Sequence, residues 1–320
     1  MAKKKPAQKK KTRKYSSKKR KQNHLKTYLI KAFIGIGALI ILVVLAAVAA
    51  HHMILRKEPL TPVVEPQAFK TPEFEIYPKD EITPRKIIPR PPPILPEKLP
   101  KIAIIIDDLG YDKYIAEKFL GLDAVLTLSV LPNIPYQKSI ANEAFEKGFE
   151  VMLHLPMEPD EFPKVNPGPG ALLVSMSPDE LIDQLNKNID TVPFLKGVNN
   201  HMGSKMTKHS DQLNQIFSVL KKRNLFFIDS ATTVDSLCKP SARLFRVPFA
   251  QRDIFLDHIQ DPEFIRKQFD RLLKYAESHG EAIGIAHPYH VTFEVMNKLI
   301  PELKKKAVLV PASEVVHLIG

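Results

Sequence analysis

At 320 residues and 44% apolar content, the chain is long enough for one large domain or two ordinary ones. Its net charge of +12 does not describe a basic fold. Residues 1–26 hold 13 Lys and Arg and no acid, and Lys31 adds one more, so the rest of the chain is slightly acidic. That distribution argues against a fold-wide nucleic-acid surface, and the single Cys238 rules out an intrachain disulfide and a cysteine-based metal site.

In chain order, residues 1–27 form a basic tail with one aromatic, Tyr15, and no motif that would contact bases. It reads as a topology signal or a weak attraction to anionic headgroups, with no nucleic-acid partner. Residues 28–55 read as a transmembrane anchor. Within them, residues 32–50 carry no charge. As a helix that run is ~29 Å long, close to the hydrocarbon thickness of a bilayer. The Lys/Arg block before it is a positive-inside signature. The expectation is a single-pass protein of the cytoplasmic (inner) membrane, with a cytoplasmic N-terminus and everything after residue 55 on the extracytoplasmic, periplasmic side. AAVAA before His51 offers small residues that signal peptidase cuts after, but the apolar run is longer than a ~7–15-residue signal core. Residues 56–100 are a Pro-rich linker, with 12 of the 28 prolines, ending in PRPPPILPEKLP. Proline lacks the N–H that helices and sheets need and favours extended polyproline II, so this region reads as a semi-rigid stalk.

From residue 101 to 320 strands and helices alternate. Strand-like apolar runs are IAIII (102–106), AVLTLSVL (124–131), FEVMLHL (149–155), LFFID (225–229), EAIGIAH (281–287) and AVLV (307–310), with weaker candidates KGVNNH (196–201) and FRVPFA (245–250). Helical periodicity separates them, as in SPDELIDQLNKNID, where Ser177 suits an N-cap and Pro178 the first helical position. Strands that are apolar throughout, each followed by a helix, predict a parallel sheet covered by helices. Seven or eight such units in about 220 residues fit a (β/α) barrel.

In that architecture chemistry gathers at the C-terminal ends of the strands. Those ends carry Asp107-Asp108, His154 with Glu158 beyond it, Asn199-Asn200-His201, Asp229-Ser230 and His287; the RVPFAQRDIFLDH region adds Arg246, Arg252, Asp253, Asp257 and His258. One strand-terminal Asp or His is unremarkable. Five or six successive polar, metal-competent ends are harder to dismiss. Two histidines and a carboxylate are a common set for a divalent ion that keeps open positions. Adjacent acids in a low-dielectric site are tolerable when a cation sits beside one of them and the other is left as a base.

The set IAIIIDDLGYD, VMLHLPMEP, GVNNHMGSKMT, FFIDSATT, VPFAQRDIFLD and AIGIAHP resembles the divergent polysaccharide deacetylase family, over about residues 101–320. The resemblance implies an α/β fold, a partial (β/α)7–8 barrel of the polysaccharide deacetylase type, and a glycan substrate. It implies Asp107 as general base, Asp108 as metal ligand and His287 as general acid. An Arg-x-Pro motif would orient the base: Arg246-Val-Pro248 fits the letters, and Arg252 is an equal contender. The main family places two metal-binding histidines four apart on one motif. Here the fourth residue after His154 is Glu158, so the ligand set is read as Asp108, His154 and His201, with Glu158 as the fallback, and Zn²⁺ as the ion. Asp229 is expected to orient a catalytic group, and Asn199 or Asn200 to hold an oxyanion or a sugar hydroxyl. The implied activity is removal of acetyl from an N-acetylated envelope saccharide. Two other readings are a non-catalytic envelope binding module, motivated by the missing histidine pair, and a metal-free glycosidase using Asp107 and Asp229. The glycosidase leaves the three histidines unexplained.

Overall fold

A computed structural model describes residues 99–320. The basic tail, the transmembrane anchor and nearly all of the Pro-rich stalk expected from the sequence lie outside those residues. Among the described residues no helix is long and apolar enough to cross a membrane.

The described chain begins with β1 (Lys101–Leu109), whose Ile102–Ile106 are fully buried. It continues through α1 (Lys113–Leu120), β2 (Thr127–Val130), α2 (Gln137–Glu146), β3 (Glu150–Met157), α3 (Pro178–Thr191), β4 (Leu195–Met202), α4 (Ser210–Lys222) and β5 (Phe226–Asp229). Then come α5 (Cys238–Phe245), β6 (Phe249–Gln251), β7 (Ile254–Phe255), α6 (Pro262–His279), β8 (Glu281–Ala286), α7 (His290–Leu303) and β9 (Val308–Leu309). The named strands form one sheet in the order β6-β5-β4-β3-β2-β1-β8-β7, with β9 added to β1, and every pairing between them is parallel. Sequence neighbours β6 and β7 sit at the two ends of that order, so the sheet curls into a partial barrel with its seam between them. Near the start of β6, His317 exchanges backbone hydrogen bonds with Phe249 and sets Nε2 2.6 Å from Glu281 on β8.

Side chains alternate across a strand with period two, and that parity sorts the core into two compartments. Ile102, Ile104 and Ile106 of β1 join Leu153, Leu155, Val198 and Phe227 in the layer beneath the helices. Ala103 and Ile105 join Met152, Phe226, Ile228, Ile283 and Ile285 inside the barrel. At Gly197 a Cβ would lie 2.3 Å from the Phe226 ring, so only glycine lets that ring fill the barrel interior. Helix starts follow local rules: Asp112 and Asp261 cap α1 and α6, and Ser177 with Glu180 forms a capping box on α3 with Pro178 at its start, as expected.

Several expected boundaries differ. KGVNNH is part of a full eight-residue strand, β4, despite its polar residues, because it runs between β3 and β5 and its polar side chains serve the upper layer of the barrel. FRVPFA contributes only Phe249 and Ala250 to β6, since α5, which the apolar pattern did not announce, continues through Phe245. The two-residue strand β7 was likewise not expected.

Candidate metal centre and catalytic rim

The inward parity of the strands delivers one polar layer above the apolar interior. Ile106 pairs with Ala286 and with Leu128, so Asp107, His287 and Ser129 stand at one level; His154 pairs with Asn199 on the neighbouring strands. Asp107 follows Ile105 in pointing inward. By the same alternation Asp108 would point outward, beneath the helices. Instead Asp108 adopts a left-handed conformation (φ 54°), and the β1–β2 register shifts between Ile106 and Leu109. Aspartate is among the few residues that tolerate this conformation. The bulge re-aims the second carboxylate into the rim beside the first. Gly110, at φ 130°, completes the turn, where a Cβ would lie 2.2 Å from Ile134.

Asp108, His154 and His201, brought from β1, β3 and β4, form the one group of candidate metal ligands found among the described residues. Asp108 Oδ1 lies 3.0 Å from His201 Nδ1 and 3.2 Å from His154 Nε2, and the two ring nitrogens are 3.2 Å apart. These edges match the spacing of neighbouring ligands around an ion with bonds of about 2.0–2.2 Å. Asp108 Oδ1 is buried without a hydrogen-bond partner of good geometry, an atom still asking for a cation. The donor set of two imidazoles and a carboxylate therefore fits a divalent ion.

The charges of the site act on one another. Burial pushes Asp108 upward, but His201 and His154 outweigh it and hold its carboxyl well below the usual range. Burial also raises Asp107, with His154, His287 and the Asn199 amide opposing the rise. On His154, burial favours the neutral ring, yet Asp107 and Asp108 together raise its pKa.

His287 occupies the other flank of Asp107. Its Nδ1 lies 2.8 Å from Asp257 Oδ1, and its backbone N–H and the Thr292 hydroxyl both donate to Asp257 Oδ2, at 2.6 and 2.8 Å. The His287 ring stacks on Phe255, with centroids 5.4 Å apart. Burial would favour the neutral ring, but the fully buried Asp257, helped by Asp108 and Asp107, raises His287 to about 9. The sequence marked Asp257 only as one of several polar residues in its segment; no local signal ties it to His287, because the pairing joins the segment after β7 to the end of β8.

The other expected site residues fall elsewhere, and parity explains most of them. Asn200 points outward with Val198; its side chain donates to the Met202 carbonyl and accepts from the Ser230 N–H, both at 2.8 Å, which ties β4 to β5. Asn199 points inward but is fully buried, and its amide is spent on Asp107, His154 and Ser129. The amides of both asparagines, expected to meet substrate, are engaged by protein groups. Asp229 shares the outward parity of Phe227. It accepts from the Ala231 N–H and the Ser236 hydroxyl, and burial raises its pKa against those bonds and Arg252. Both of its oxygens are thus engaged by the segment that joins β5 to α5. Glu158 accepts from Lys205 Nζ and the Val174 N–H, each at 2.6 Å, and braces two rim loops rather than joining the ligand group. Arg252 donates to the carbonyls of Ser230 and Ala231 and lies over the Phe255 ring. Arg246 is an exposed, left-handed C-cap of α5 that precedes β6, so it stands at the opposite end of the strands from the rim. The hydrogen bonds to the Asp107 carboxylate come from Asn199 and not from the arginine that the resemblance implied.

Fold and site together define a parallel-strand partial barrel with a candidate two-histidine, one-aspartate metal centre at its C-terminal rim. Residues 104–316 match the family described as divergent polysaccharide deacetylase, and the chain belongs to that family. It is 34% identical over 217 residues to the uncharacterized protein YibQ of Escherichia coli K12, covering 68% of this chain and 67% of that one. An uncharacterized protein of Haemophilus influenzae Rd is 31% identical over 210 residues, covering 66% and 74% of the two chains. An uncharacterized protein of Agrobacterium tumefaciens C58 has a similar solved structure, with a TM-score of 0.66 and 25% identity over 68% of this chain and 90% of that one.

Proposed function

We propose that the chain is a membrane-anchored, metal-dependent hydrolase that removes acetyl groups from an N-acetylated saccharide of the cell envelope. The observation that carries this reading is the meeting of three metal-competent atoms, a buried carboxylate and an imidazole–carboxylate pair in one rim. Family membership supports the reaction class and the glycan substrate. The uncharged run at residues 32–50, with its basic flank, supports a single span in the cytoplasmic membrane and an extracytoplasmic catalytic domain.

Asp108, His154 and His201 would hold the ion, which we take to be Zn²⁺. When bound it would supply Lewis acidity toward the acetyl carbonyl and lower the pKa of water. Asp107, held through both oxygens by Asn199, takes the proton of the attacking water. His287, kept protonated by Asp257 across neutral pH, gives a proton to the leaving nitrogen. Both groups are buried, which strengthens each interaction.

The test is acetate release by the full-length chain, zinc-loaded in detergent, from chitooligosaccharides and peptidoglycan fragments. Turnover that is lost on chelation and restored by zinc supports the reading. Full zinc occupancy with no turnover on any of these glycans would overturn it in favour of a binding module.

A further inference from the structure

Asn199 sits between the two halves of the site, and the orientation of its amide is forced by groups other than His154. Both oxygens of Asp107 lie within reach of Nδ2, at 2.8 and 3.0 Å, and a carboxylate accepts. The Ser230 hydroxyl already donates to the Asn200 carbonyl at 2.8 Å, so its oxygen is left to accept from the same Nδ2 at 3.4 Å. The NH₂ group therefore faces Asp107 and Ser230, and Oδ1 faces the other way. Ser129 Oγ, at 2.5 Å, and His154 Nδ1, at 2.9 Å, both converge on that oxygen. An amide oxygen only accepts, so Nδ1 of His154 must carry the hydrogen. Nε2 is then the nitrogen that meets Asp108 and His201.

We propose that Asn199 is a positioning residue with two outputs: it fixes His154 as the Nδ1–H tautomer that presents Nε2 to a cation, and it aims the Asp107 carboxylate through both oxygens. One neutral side chain thereby couples the metal-ligand side of the rim to the base. The first output stands on geometry alone; the second rests on the hydrolase reading given above. A neutral amide suits this post. It orients the imidazole without adding a third negative charge beside Asp107 and Asp108, which an aspartate at this position would do.

The test uses the full-length chain in detergent, labelled with ¹⁵N-histidine, with His154→Gln to assign the signal. In the metal-free wild type at alkaline pH, the His154 ring nitrogens should report the Nδ1–H tautomer; an Nε2–H ring overturns the proposal without any variant at Asn199. In Asn199→Ala the tautomers should mix, and zinc affinity measured by calorimetry should fall about 10–100-fold. Unchanged affinity in a folded Asn199→Ala protein overturns the first output. Asn199→Asp keeps an acceptor for Ser129 and His154 but loses the donor to Asp107. It should therefore retain zinc while turnover falls by at least about 100-fold with little change in KM. Zinc loss in Asn199→Asp as large as in Asn199→Ala, or wild-type turnover, overturns the division of roles. If no glycan is turned over even by the wild type, the hydrolase reading fails, and the tautomer and zinc measurements still decide the role of Asn199 at His154.

Discussion

On the β3–β4 flank of the rim, His154 Nδ1 is held by the amide oxygen of Asn199; on the β8 flank, His287 Nδ1 is held by the carboxylate of Asp257. The wiring is the same, with one ring nitrogen tied back so that the other faces the centre. The tie differs in charge. An amide fixes orientation without adding charge behind the ring, and the upward push on His154 comes from Asp107 and Asp108 in front of it. A carboxylate also stabilises the imidazolium, which suits a proton donor. Asp107 and Asp108 stand between the two flanks, and the charge of each flank sets what each acid faces: a would-be cation centre on one side, a protonated ring on the other. Both rings are pushed upward, His154 by Asp107 and Asp108 and His287 chiefly by Asp257, so the two differ in whether the atom behind the ring carries the charge.

The largest break in this arrangement is expected from Asp108→Ala, which removes the ligand shared by both imidazoles. Zinc affinity measured by calorimetry should fall by more than about 100-fold and acetate release to background. Activity that persists without bound zinc would remove the metal from the reaction. Asp107→Asn should keep zinc at wild-type affinity while kcat drops by about 10²–10⁴-fold, because only the proton acceptor is gone.

Asp257→Asn turns the charged tie into a neutral one and so makes the His287 flank resemble the His154 flank. His287 donates only when protonated. With its pKa raised to about 9, activity should hold through neutral pH and fall as pH rises through that value. Without the Asp257 charge the alkaline limb should move to lower pH, toward the ordinary histidine value of ~6.5, with kcat at pH 8 reduced by about 10–100-fold. A pH–kcat profile measures both; a limb that does not move would exclude His287 as the donor.

Smaller effects test the residues that parity places outside the pair of flanks. Glu158→Gln should lower stability by about 1–3 kcal/mol in thermal unfolding, because the amide has one acceptor oxygen for two donors, Lys205 Nζ and the Val174 N–H, with zinc affinity unchanged. Arg246→Ala should change stability by no more than about 0.5 kcal/mol and leave activity as it is. A large activity loss there would bring the Arg-x-Pro reading back.

Much of the barrel was legible in the chain. Ile102–Ile106, the alternation of strands and helices, the Ser177 cap and the concentration of polar residues at strand ends are local patterns, and local patterns survive in sequence. Parity along a strand was legible too. Applied strictly, it separates inward His154, Asn199 and His201 from outward Asn200 and Asp229. What hid was everything that joins distant strands. That Asn199, and not an arginine, holds Asp107 depends on β4 lying across the barrel from β1. That Asp257 stands behind His287 depends on the segment after β7 folding against β8.

By itself, the sequence determined the strand–helix rhythm, the family and the candidate ligands Asp108, His154 and His201, because hydrophobic period and residue chemistry act over a few neighbours. Only the tertiary structure decided where the second acid points and what stands behind each histidine. A one-residue bulge at Asp108 re-aims a carboxylate that alternation would have buried under the helices. The partners that fix tautomer and charge are close in space but distant in the chain: Asn199 lies 45 residues from His154, and Asp257 lies 30 residues from His287.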